Sequence, residues 1–399
     1  MQLPFRPEFA YGPESTTEGA GGSVLPLLAG YWSFGQYWGA WVILVFEFQR
    51  AHSISDAHLG FLYTMLSLTA VVVMLLIAPQ MRRFALSTNV PIALAALGLG
   101  TLAITYLPDT LTFIGFAAVG VGNGLIDIYG NVAAQRAEVR SRKPVLQWLH
   151  ASYALGGVSG AAIAGLFIVV GADYRLGMAY AAITLFATSW WTAKTMDNEG
   201  RSGETGTTFA ISALWRSPML WIPALVVLFA FLIEGSMDTW SGLYLRQELH
   251  AGAGTAAIAF VAFSGSMFFG RLFAGKVLFG LGSRRTILVA GIGSAVGGLV
   301  ATLTSSPVIV GCAFLLLGFT LAAAAPAGYG LVGASDEDAT NAIAAVTTVG
   351  YTGFIWSPPL LGWVAQTFDL RATMAVIVIA TVGVIGAGLL APRRTSSTG

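Results

Sequence analysis

Asn123, Asp127, Asn131 and Gln135 recur every fourth residue in a stretch, 111–134 and just beyond, that is otherwise almost wholly apolar. On an α-helix that spacing places them in one slowly drifting stripe. An aspartate at the centre of a membrane-spanning helix costs about 2.5–3.5 kcal/mol to insert. With polar groups above and below it, the stripe reads as the wall of a wet path. Asp127 is then a carboxylate that could take up and release a proton or hold a polar ligand; the bland alternative is a structural group bonded to a neighbouring helix. Glu234 and Asp238 form a second pair, one helical turn apart. Counted from Pro218 at 1.5 Å per residue, Glu234 lies about 24 Å along its helix, just past the middle. Asp238 is nearer the mouth, where it could cap or pair with Arg246.

His150 follows the basic loop Arg136–Lys143 by seven residues, and Asp127 precedes it by nine. Antiparallel neighbours would bring the two to similar depth, as a carboxylate–imidazole proton relay, or leave His150 touching water at a helix end. Gln147 and Tyr153 share its face. Gln36, Asn123, Asn131, Tyr153, Trp240, Tyr351 and Trp356 complete a candidate substrate set of amides beside aromatic rings. Such a set suits a sugar, apolar on its ring faces and polar at its edge; it equally suits a flat drug-like ligand. The same aromatics could serve only as interfacial belt or helix packing.

The elements that position these residues follow from composition. The chain is 56% hydrophobic and 10% charged, with a mean hydropathy of +0.74, whereas soluble domains are about 25% charged. This composition describes an all-α polytopic membrane protein whose partner is the lipid bilayer. A net charge of +1 gives no indication of nucleic acid, and the lone Cys312 offers no disulfide framework. Residues 1–23 are expected to form a disordered cytoplasmic tail and lack the pattern of a cleaved signal peptide.

Apolar runs of about 20 residues mark spanning helices. Twelve are expected: 24–46, 58–78, 87–107, 110–134, 147–170 and 174–195, then 218–245, 255–275, 286–304, 308–332, 341–364 and 371–391. The predicted organisation is a six-helix bundle over 24–195, a cytoplasmic linker over 196–217 with a short interfacial helix near 209–215, a second bundle over 218–391, and a cytoplasmic tail over 392–399. With both termini inside, sixteen of the twenty Lys and Arg residues fall on the cytoplasmic face; Arg50, Arg175, Arg246 and Arg371 fall on the other. That asymmetry fits an even number of spans. A shift of 199 residues lays Trp41 on Trp240 and Gly35 on Glu234, and a shift of 198 lays Tyr153 on Tyr351. Two halves at a steady offset are what a duplicated transporter gives. Gly156, Gly157 and Gly160, with Gly350, Gly353, Pro358 and Pro359, permit close packing and kinks.

The two six-helix halves, the long central linker and GSMFFGRLFAGKVLFGLGSRR between spans 8 and 9 resemble the major facilitator superfamily. In that loop motif Arg271, Arg284 and Arg285 stand at the basic positions and Gly275 at a glycine, while Lys276 replaces a common acid. The equivalent loop after span 2 keeps Arg82 and Arg83. NGLIDIYGNVAAQ, LHASYALGGVSGA and EGSMDTWSGLYL most resemble the fucose-permease-like branch. The resemblance implies twelve helices in two pseudo-symmetric halves and alternating access. It also implies proton coupling at the helix-4 carboxylate, here Asp127; Glu234 and His150 are further candidate proton-coupling positions on the depth and spacing given above, and Arg271, Arg284 and Arg285 are candidate gating-loop residues. It further implies a second acid inside helix 1; span 1 has none from Val24 to Phe46.

No HExxH, Cys/His metal spacing, P-loop or soluble nucleotide-binding domain is present, so no enzyme, metal or cofactor is expected. The leading expectation is a monomeric, bacterial-type inner-membrane transporter moving a small-molecule substrate, a small polar organic solute with a sugar as one candidate, by proton symport. Efflux of a drug or metabolite by proton antiport is the alternative on the same fold. A non-transporting receptor or scaffold is the alternative of another class.

Overall fold

The computed structural model describes residues 24–81, 83–141, 143, 145–196, 214, 217–332 and 337–392. The tail at 1–23, most of the linker with its interfacial helix, the end of the C-terminal tail, Arg82 and the side chain of Gln147 lie outside the described residues. The described chain is helical, without a β-strand. Helices α1 (Leu25–Ala51), α2 (Asp56–Met81), α3 (Leu86–Tyr106), α4 (Thr112–Ser141), α5 (Val145–Val169) and α6 (Tyr174–Thr195) make the first half. The second half comprises α7 (Pro218–Glu248), α8 and α9 within Ala253–Leu303, α10 (Pro307–Tyr329), α11 (Glu337–Thr367) and α12 (Leu370–Leu390). Gly282 divides α8 from α9. Its φ of 73° and ψ of 161° are open to glycine and closed to other residues.

Three helix starts carry side-chain caps among the described residues. Ser55 accepts from the His58 N–H at α2, Asp173 from Arg175 at α6, and Asp369 from Ala372 at α12. Eight helices among the described residues, with α8–α9 counted as one, are long and apolar enough to cross a membrane by length and composition. Large apolar side chains such as Ile258, Phe279 and Val169 stand more than two-thirds exposed on them. A soluble protein would bury such residues; a lipid-facing surface presents them.

The inward faces do the positioning. Helices α1 and α5 cross backbone to backbone. A Cβ on Gly35 would lie 1.9 Å from the Tyr153 carbonyl oxygen, and one on Gly156 1.9 Å from that of Trp32. Gly120 and Gly124 likewise bring α4 close to α2, where added Cβ atoms would lie 2.3 Å from the Leu66 and 2.6 Å from the Ala70 carbonyl oxygen. These contacts leave no rotational freedom to α1, α4 and α5, which carry the polar residues of the first half.

Two ends of the bundle are distinguished below. The terminal end is where α1 begins and α12 finishes; the far end is where α1 finishes and α2 begins. At the far end the halves touch. Gly60 of α2 sits against Pro358 and Gly362 of α11, and Gly242 of α7 against the Val42 carbonyl of α1.

Candidate functional site

The α4 stripe packs on α1 through Asn123 and Asn131, and its Asp127 lies within electrostatic range of Tyr351 in the second half. Asn123 accepts a hydrogen bond from the Trp38 indole N–H at 3.3 Å. Asn131 donates to the Asp127 backbone carbonyl at 2.6 Å and to the Tyr31 hydroxyl at 3.4 Å. The Tyr31 hydroxyl donates in turn to the Ile126 carbonyl at 3.0 Å, with the hydroxyl end of its ring in the space left by Gly130. Asn123, Asn131 and Tyr31 each hold at least one hydrogen bond, whereas the Asp127 carboxylate stands apart. Among the described residues it makes no hydrogen bond or ion pair, and it is only partly buried.

The opposite wall comes from the second half. Glu234 of α7 accepts from the Arg271 guanidinium of α8 at 2.8 Å, with Arg271 half exposed. Asp238, one turn further along α7, has no hydrogen bond among the described residues but lies within electrostatic reach of both. Tyr153 bridges the walls. Its ring is 5.1 Å from Phe34, and it stands within electrostatic range of Asp127, Glu234, Asp238 and Arg271. Tyr351 of α11 lies within range of Asp127 and Glu234. His150 packs edge-on to Tyr31 at 6.4 Å and lies within range of Arg271 and Glu234. Asp127, His150, Tyr153, Glu234 and Tyr351, far apart in sequence, therefore face one polar space between the halves.

Other residues singled out from the sequence lie elsewhere. Asp127 and His150 form no pair; His150 belongs to the Glu234–Arg271 side. Gln36 is fully buried inside the first half, donating to Tyr180 at 3.1 Å and accepting from Thr184 at 2.5 Å, so both ends of its amide are used. Trp240 is fully buried beside Tyr63 at the seam, its N–H without a partner among the described residues. Trp356, 65% exposed, shares an exposed apolar stripe with Leu360 and Trp363 at i, i+4 and i+7, the outward face of α11. Arg271 is no loop residue: it sits within α8. Arg284 donates to the Gly388 and Leu389 carbonyls and so caps α12. Arg285 is exposed, with no ion pair among the described residues. Arg246 pairs with Glu47, and not with Asp238.

Arg271, expected in a gating loop, and Tyr31 are the participants whose place at the site the sequence reading missed. The signal for Arg271 was present: an arginine inside the apolar run SGSMFFGRLFAG is as costly in a membrane as Asp127. Tyr31 carried no comparable signal among the aromatics of α1.

The model of the Major Facilitator Superfamily matches residues 27–358. The chain belongs to the major facilitator superfamily. It is 24% identical over 344 residues, 85% of its length, to an uncharacterized MFS-type transporter of Yersinia pestis, covering 88% of that protein. In fold it is similar to a bacterial homologue of the human lysosomal transporter Spinster, in an inward-facing and unoccupied conformation. That match has a TM-score of 0.77 and 14% identity over 92% of this chain and 96% of the other. The E. coli fucose:proton symporter gives a TM-score of 0.59 at 12% identity, covering 92% of this chain and 98% of that one. As a superfamily member this is a multi-pass membrane transporter of small molecules and not an enzyme.

Proposed function

We propose that this transporter is a proton symporter for a small polar organic solute with a ring, of which a sugar is the leading example. The supporting observation is the unpartnered Asp127 carboxylate, held at the meeting of the two halves among Tyr31, Tyr153 and Tyr351. A carboxylate without a fixed cation can exchange a proton as its surroundings change between wet and closed. The solute would lie between the tyrosine rings, with Asn123 and Asn131 on one side and His150 with Arg271 on the other. Asp127 is the main proton site, and Glu234, already bound to Arg271, the second-half partner of the cycle. Alternating access by rocking of the halves would expose the site to each end in turn. The distribution of Lys and Arg favours a cytoplasmic terminal end in a bacterial-type inner membrane, with the protein acting as a monomer.

Proteoliposomes with an imposed pH gradient test the reading. A panel of sugars and related polyols should include one taken up when the outside is acidic and not when the gradient is abolished. Accumulation that requires an acidic lumen instead would identify exchange against protons. No pH-dependent uptake of any member would remove the symport reading.

A further inference from the structure

Where α1 and α7 reach the far end, Glu47 and Arg246 meet across the two halves in an ion pair. Their separation, 199 residues, is the same shift that lays Trp41 on Trp240. The two residues are thus each other's equivalents in the internal repeat, joined where the duplicated helices cross. The contact is repeated alongside: Gln247 donates to Gln49 at 2.6 Å, and a Cβ on Gly242 would lie 2.2 Å from the Val42 carbonyl oxygen. Gln49 donates on to Asp56 at 2.6 Å, tying the start of α2 to the same seam.

The surroundings make this pair sensitive. Arg246 keeps only 9% of its side chain exposed, its guanidinium carbon 4.7 Å from the centre of the Phe46 ring. Its Nη1 is buried and has no hydrogen-bond partner among the described residues. Glu47 has a near alternative in the exposed Arg50 at 3.9 Å. A cleft of about 530 Å³, lined by Gln49, Arg50, Asp56, Arg246 and Gln247 among others, opens beside the pair. Closing the seam removes two charges from most of their water, and their mutual attraction offsets much of that penalty. Opening returns both charges to water through the cleft. Such a pair holds a surface shut while it is intact, yet little is lost when it parts.

We propose that Glu47 and Arg246 are gate residues of the transport cycle: their pair latches the far end shut, and its release opens that end. The proposal rests on the alternating-access reading above. Neutralising Glu47 leaves Arg246 buried and unpaired only in the closed arrangement, so the balance must move towards the open one. Exchanging the two charges rebuilds the pair at the same crossing point.

The test uses the full chain in lipid nanodiscs, with Cys312→Ser and spin labels at Thr110 and Phe368. Both positions are exposed at the far end, one in each half. Glu47→Gln should enlarge the long-distance population at least about fivefold. Arg246→Glu should enlarge it further, and Glu47→Arg with Arg246→Glu should return it most of the way. An unchanged distribution in Glu47→Gln, or an exchanged pair no nearer to wild type than the single variants, overturns the latch. Should charge reversal prevent folding, Glu47→Gln, Arg246→Gln and their combination decide the matter. The double variant must then open no more than the worse single one, and simple addition overturns the proposal. Failure here leaves gradient-driven uptake by the wild type untouched, so the two readings stand or fall separately.

Discussion

At the scale of single residues, the site divides into groups with fixed partners and groups without. Asp127 is the clearest of the latter, and Asp127→Asn keeps its size while removing its charge. Gradient-driven accumulation should fall at least about 100-fold, the size of effect expected when a positioned proton-transfer group is lost. Counterflow exchange, which needs no net proton movement, should survive. Full accumulation by the variant in a pH-jump assay would exclude Asp127 as the carrier. Glu234 and Arg271 make a different prediction because each satisfies the other. Glu234→Gln takes from Arg271 its bonded partner and leaves Asp238 at electrostatic range, and Arg271→Gln takes from the two neighbouring carboxylates the cation they share. Each single variant should therefore melt lower than the double one. With Arg271 half exposed, the coupling should be near about 1 kcal/mol, at the lower end of the range for contacting pairs. Additive losses in thermal unfolding would show the contact to be energetically idle. Residue type alone revealed the charges but not their partners. Gln36 and Asn131 are both amides in apolar helices, yet one spends its amide on Tyr180 and Thr184 and the other borders Asp127. The direction in which each helix turns decides this, and the sequence of one helix does not contain it.

At the scale of elements, length and hydropathy were informative because a bilayer fixes how long an apolar run must be. The expected span at 174–195 coincides with α6, and 371–391 differs from α12 by one residue at each end. Where the match is poorer, the helix continues past the apolar core. Helix α4 runs to Ser141 through Arg136 and Arg140, and α1 to Ala51 through Glu47 and Arg50, because charged turns at a helix end can lie in water. The glycines were legible as close-packing residues, but their partners were not. Gly35 and Gly156 prove to be the points where α1 and α5 share a surface. Gly156→Ala would drive a methyl group into the Trp32 carbonyl and force the helices apart, at a cost of about 1–3 kcal/mol. Gly386→Ala, with nothing within 4 Å of its added Cβ, should be neutral or stabilise by up to about 1 kcal/mol through helix propensity. Thermal unfolding in one detergent compares the two directly. Equal behaviour would mean that the α1–α5 contact contributes nothing to stability.

At the scale of the whole molecule, the internal repeat is visible in sequence as a steady offset, and its departures from symmetry carry the chemistry. Gly35 lets α5 pack on α1, whereas its equivalent Glu234 faces the space between the halves and holds Arg271. The seam at the far end tests whether the halves move as units. A Cβ on Gly60 would stand 2.9 Å from the Pro358 carbonyl oxygen, and one on Gly362 2.8 Å from the Gly60 Cα. Gly60→Val therefore obstructs the meeting of α2 with α11 and leaves the contacts of α1 with α5 and of α4 with α2 alone. If the halves rock as rigid bodies, this variant should keep near wild-type thermal stability while losing most transport, because one of the two arrangements can no longer close. The far-end distance between Thr110 and Phe368 should lengthen in the same variant. Normal turnover in proteoliposomes would mean that the α2–α11 seam need not close during transport. A drop in stability as large as that of Gly156→Ala would mean instead that the seam is part of the static core.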